Sequence, residues 1–91
     1  QTGMRVYVAV PRGKDEEFRH LADCLISRIS LVVNYEHLNA ELQEKVHDFL
    51  CGVTYIIGGR LTRINEKIVM YVPANIDFDS CEAPLNKKAA R

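Results

Sequence analysis

A thiol and an imidazole at helical spacing are residue types from which chemistry could be built. His47 and Cys51 stand four apart, and on a helix that spacing brings side chains onto one face. A thiol beside an imidazole is the start of a nucleophile pair. No third group that would orient the imidazole is apparent. Cys51, like Cys24, also sits close to an expected apolar helix face, where cysteine commonly serves as a small core residue. The balance favours packing over catalysis, and no enzyme is expected. The three histidines, His20, His37 and His47, match no metal-ligand spacing, so solvated imidazoles and no metal are expected. The pair Gly58-Gly59 has neither the third glycine nor the strand-to-helix setting of a dinucleotide loop, and no Gly-Lys-Ser/Thr follows it. It reads as a backbone bend, and no cofactor is expected. Arg12, Arg60 and Arg63, with Tyr55 and Tyr71, loosely resemble the basic and aromatic mix of an RNA-stacking sheet. The signature of such sheets is missing, and ordinary solvated arginines are the simpler account.

Charge agrees with that reading. Twelve Lys and Arg balance twelve Asp and Glu for a net charge of zero, leaving no global field to draw the chain onto nucleic acid or lipid. Ninety-one residues, 47% of them hydrophobic and 26% charged, make one small globular domain. A core of that size is modest, so self-association is a reasonable source of further stability. Three cysteines with no C-x-x-C pair suit reduced thiols in the cytoplasm. No stretch approaches the roughly 20 apolar residues that would span a bilayer, so a soluble domain is expected. Residues 1–4, Gln-Thr-Gly-Met, lack signal-peptide character and read as a disordered start or a remnant of expression.

Hydrophobic periodicity supplies the frame. Val6 to Val10 reads as a strand ending at Pro11-Arg12-Gly13. Asp15 reads as the cap of a helix whose apolar residues, Phe18, Leu21, Ala22, Leu25, Ile26 and Ile29, recur at three- and four-residue steps. Leu31 to Tyr35 is a second strand. Asn39 caps a second helix with Leu42, Val46, Phe49 and Leu50 on one side, and Gly52 is expected to end it. Strands are then expected over 53–57, 60–64 and 67–72, with the double glycine as a bend, and a short half-exposed strand over 76–79. The expected architecture is an α/β two-layer sandwich in β-α-β-α-β-β-β order, with two helices on one mixed sheet of about five strands. Residues 5–79 would form this core, and 80–91 a flexible C-terminal tail. An apolar stripe on the second helix that reaches the surface could dock a peptide or another copy of the domain.

Taken in order, several segments resemble the SepF family of cell-division proteins. They are Val10-Pro11-Arg12, Leu21-Ala22-Asp23, Val32-Val33-Asn34, Val46-His47-Asp48-Phe49-Leu50-Cys51-Gly52, Tyr55-Ile56-Ile57-Gly58-Gly59, Arg63-Ile64 and Pro73-Ala74-Asn75-Ile76. The resemblance covers about residues 5–79. It implies a cytoplasmic adaptor at the division site, on the inner face of the cell membrane. Such an adaptor forms a homodimer and higher assemblies and binds the C-terminal tail of the tubulin-like protein FtsZ beside the second helix. It reaches the membrane only through an N-terminal amphipathic helix that this sequence lacks. Carried onto this chain, the tail-binding surface would comprise Gln43, Lys45, Val46, Phe49 and Leu50, with Phe49 as apolar anchor and Lys45 as electrostatic partner. Gly52, Tyr55, Gly58 and Gly59 would serve self-association or tight backbone packing. Arg60, the pair Met70-Tyr71 and Cys51 depart from the usual family residues, and bacterial and archaeal versions share this core. A different class, a small-ligand or RNA-binding regulatory α/β domain, is the alternative.

Overall fold

A computed structural model describes residues 4–74 and 76. Six elements follow one another: β1 (Val6–Ala9), α1 (Asp15–Ile26), β2 (Ser30–Asn34), α2 (Ala40–Ile56), β3 (Arg60–Arg63) and β4 (Ile68–Val72). The strands form one mixed sheet in the order β1-β2-β4-β3. β1 runs parallel to β2, as a crossover through α1 requires, while β4 is antiparallel to both β2 and β3. The expected two-layer α/β fold with two helices on a mixed sheet is what forms. The sheet has four strands among the described residues rather than about five. The strand expected over 76–79 falls outside the described residues except for Ile76, as do the expected tail over 80–91 and most of the expected start.

Strand alternation places the core. Leu31 and Val33 of β2 lie level with Tyr71 and Val69 of β4, and all four are fully buried with Leu21 and Leu25 of α1 and Val46 and Leu50 of α2. The intervening residues, Val6 and Val8 of β1, Val32 of β2 and Met70 of β4, point to the opposite face of the sheet. There Val6 and Val8 are exposed, Val8 by 66%.

The helix starts are satisfied from the side chains. The α1 cap is Lys14 rather than Asp15, which becomes the first helical residue. Glu17 reaches back so that Oε1 accepts from the backbone N–H of Lys14 at 2.8 Å and of Gly13 at 2.9 Å. These bonds hold its carboxyl below the ordinary range despite some desolvation. Asn39 caps α2 as expected, its Oδ1 accepting from the Leu42 N–H at 2.8 Å.

The end of α2 departs from expectation. Gly52 does not stop the helix, and the strand expected over 53–57 is the last turn of α2. Val46, Leu50 and Thr54 follow at four-residue steps and are all buried against the sheet. Thr54 settles its hydroxyl on the Leu50 carbonyl at 2.7 Å. Continued burial of that stripe outweighs both the strand preference of Val53 to Ile57 and the roughly 0.5–1 kcal/mol that a mid-helix glycine costs. The helix closes beyond Ile56 at Gly58, whose φ of +75° is the left-handed conformation that suits a terminating glycine.

Candidate functional site

The second helix positions every residue expected to contact a partner, but it does not present them together. Lys45 and Phe49 are exposed, Phe49 by 44%, whereas Val46 at 3% and Leu50 at 0% point into the core. Gln43 is engaged sideways: its Nε2 donates to the Glu66 carbonyl at 2.8 Å, and its Oε1 accepts from Lys67 Nζ at 2.9 Å. Helical geometry explains the split, because residues three and four apart share a face and 45/49 and 46/50 are two adjacent stripes.

Phe49 stands as a wall between two recesses. One, of about 330 Å³, lies between α1 and α2, with Phe18, Leu42 and Val46 as apolar lining and Asp15, Arg19 and Lys45 as charged lining. The other, of about 480 Å³, is almost wholly apolar and runs along the end of α2 past Ile26, Gly52, Val53 and Ile56. An aromatic ring shared by two adjoining apolar recesses suits a short peptide that carries apolar side chains.

The residues assigned to self-association or tight packing divide in the same way. Gly59 is packed tightly within the fold, since a Cβ there would meet the Val72 carbonyl oxygen at 2.3 Å. Gly58 closes α2. Gly52 has nothing within 4 Å of where a Cβ would lie, and Tyr55 is 82% exposed. Close approach inside the domain therefore accounts for Gly59 but not for Gly52 or Tyr55.

Behind α2 lies a polar chain that the sequence alone does not disclose. The Tyr35 and Tyr71 hydroxyls are hydrogen-bonded in the core. The Tyr71 hydroxyl also meets His47 Nδ1 at 2.7 Å, and His47 Nε2 meets Cys51 Sγ at 3.4 Å. The His47-Cys51 spacing was visible in the sequence. The tyrosines, 36 residues apart, meet only because β2 pairs with β4 so that Leu31 lies opposite Tyr71, while the Tyr35 N–H donates to the Lys67 carbonyl just before β4. Burial pushes the Tyr35 phenol up to about 12 and that of Tyr71 higher still, with the neighbouring Tyr35 adding to the shift. Burial lowers His47, with Arg63 of β3 acting in the same direction. Burial, reinforced by Asp48, raises the Cys51 thiol. The result is a neutral imidazole beside a protonated thiol, a poor arrangement for a nucleophile, which needs the thiolate.

Among the described residues, no group of three or more His, Cys, Asp or Glu side chains lies together in a way that could hold a metal ion. No described helix is long and apolar enough to cross a membrane.

Comparison with known proteins places this geometry in a family. The family model described as cell division protein SepF matches residues 6–77. The chain is 40% identical over 73 residues to a cell division protein SepF from Carboxydothermus hydrogenoformans, which covers 80% of this chain and 53% of that protein. It is 36% identical over 80 residues to the one from Pelotomaculum thermopropionicum, covering 88% of this chain and 53% of the relative. The chain thus spans about half the length of these curated relatives. Among solved structures, a SepF-like protein from Archaeoglobus fulgidus superimposes with a TM-score of 0.75 at 16% identity, covering 86% of this chain and 95% of that one. A SepF-like protein from Pyrococcus furiosus gives 0.69 at 24% identity, covering 87% of this chain and all of the other. The structural likenesses share the fold, and the sequence match extends across both helices and the sheet: the chain belongs to the SepF family of cell division proteins.

Proposed function

We propose that this domain is a non-enzymatic adaptor of cell division, which binds the C-terminal tail of FtsZ on the outer side of α2 and self-associates. The observation that carries the reading is Phe49, an exposed aromatic shared by two apolar recesses. Within the surface inferred from the family resemblance, Phe49 is the anchor and Lys45 the electrostatic partner. Val46 forms part of the floor, Gln43 braces the β3–β4 turn, and Leu50 supports the helix from beneath. Calorimetric titration with a synthetic FtsZ tail peptide tests this directly. Phe49→Ala is expected to weaken binding at least tenfold, as loss of a buried aromatic anchor commonly does, while leaving the melting temperature near wild type. Unchanged affinity would remove Phe49 from the site.

Self-association has support on the opposite side of the domain. Val6, Val8, Val10 and Ile64 are exposed apolar residues on or beside β1 and β3, and the face bearing Val6 and Val8 is the one the helices leave uncovered. A second copy is the proposed cover. Val8→Glu should shift the sedimentation of the domain toward monomer, and an unchanged assembly would exclude this face. The domain's proposed place of action is the division site, at the inner face of the cell membrane.

A further inference from the structure

We infer that Tyr35, Tyr71, His47 and Cys51 form a one-way hydrogen-bonded chain that accepts only the neutral imidazole with its proton on Nε2, so that mild acid weakens the seat of α2 on the sheet. The reasoning is a count of protons. The Tyr35 hydroxyl has one hydrogen-bond partner among the described residues, Tyr71, and the Tyr71 hydroxyl has two, Tyr35 and His47 Nδ1. Each of these two bonds needs one proton, and the two hydroxyls supply two. Both bonds form with both hydroxyl protons engaged only if Tyr35 donates to Tyr71 and Tyr71 donates to His47 Nδ1. The imidazole proton must then sit on Nε2, where it faces Cys51 Sγ.

Any proton on Nδ1 breaks this order. It would donate to the Tyr71 oxygen, only one of the two hydroxyl protons could then enter the Tyr35–Tyr71 bond, and the other would have no acceptor among the described residues. Tyr35 and Tyr71 are fully buried, away from bulk solvent, and an unmet buried donor is expensive. Protonated His47 and its Nδ1–H tautomer are penalised alike.

The groups around His47 divide by sign. Burial disfavours the imidazolium most, Arg63 on β3 disfavours it further, and Asp48 on α2 opposes them. Glu44 on α2 and Glu66 and Lys67 of the β3–β4 turn line the same recess, while Cys51 on α2 stays a protonated thiol. The folded-state pKa therefore lies below the unfolded value of about 6.5. The unfolded chain binds more protons between those two values, so stability is fully present above about 6.5 and is lost as pH falls toward the folded pKa. His47 thus links acidity to the seat of the helix that carries Lys45 and Phe49.

Nitrogen-15 spectroscopy of the His47 ring at pH 7.5 tests the order directly: the proton should be on Nε2, and finding it on Nδ1 would overturn the inference. Thermal melts at pH 7.5 and 5.5 test the consequence. The melting temperature of the wild type should fall further than that of His47→Gln over that interval, and equal losses would overturn it. Tyr71→Phe gives an independent check. With the donating hydroxyl gone, the His47 titration midpoint should move up toward the free-imidazole value, and a midpoint unchanged from wild type would count against the chain.

Discussion

Replacing Gly59 with alanine is expected to remove about 3 kcal/mol of folding stability, the upper end of what overpacking usually costs. An added Cβ would lie 2.3 Å from the Val72 carbonyl oxygen, 3.3 Å from the Val72 carbonyl carbon and 3.2 Å from Thr54 Cγ2. Only the last of these can yield by rotating a side chain. The first belongs to the β4 backbone, which is hydrogen-bonded on both sides, to β2 and to β3. Relief would require β3 to move away from β4, or the last turn of α2 to lift where the Gly59 N–H donates to the Thr54 carbonyl at 2.8 Å. A small domain holds only about 5–15 kcal/mol in all, so the variant should unfold at markedly lower urea with an unchanged slope. A loss below about 0.5 kcal/mol, the size of an ordinary surface substitution, would show that the α2–β3 junction is not tightly packed.

The second large effect separates core from surface on α2. Leu50→Ala is expected to cost about 2–5 kcal/mol, the range for removing a fully buried leucine, because Leu50 is fully buried in the cluster with Leu31, Val33 and Tyr71. Its neighbour Phe49 is part of no buried cluster. Phe49→Ala should therefore leave stability within about 1 kcal/mol of wild type, as expected where no core cavity is made. Chemical denaturation of the two variants side by side gives the comparison. If the neighbouring positions lost similar amounts, Phe49 would be part of the core and could not serve as a free anchor. The contrast also fixes how binding data should be read: weakened peptide binding by Leu50→Ala reports a loosened helix, whereas the same loss by Phe49→Ala reports a lost contact.

The residues that follow Gly52 show where sequence patterns mislead. Val53 to Ile57 has the composition of a strand and is preceded by a common helix terminator, yet it is helical through Ile56, with Ile57 as the C-cap. The stripe through Val46, Leu50 and Thr54 continues across Gly52, and its burial decides the outcome. The same register turns Tyr55 and Ile56 outward, which a strand over those residues would not have done. Of the five residues first grouped as a partner surface, helical spacing already implied two stripes. Which stripe faced the sheet depended on how α2 is set against β3 and β4.

Local signals in the sequence therefore determined the elements from Val6 to Asn34, the Asn39 cap, the α/β class and the family, because alternation, helical period, capping and ordered motifs are written in neighbouring residues. Tertiary structure alone decided what pairs at a distance. It joined Tyr35 to Tyr71 and His47 through the β2–β4 register, laid Gly59 against the Val72 carbonyl, and divided α2 between a buried stripe through Leu50 and an open one through Phe49. The physical reason is that burial and hydrogen-bond partnership belong to the packed sheet and helices together, and no single stretch of chain encodes them.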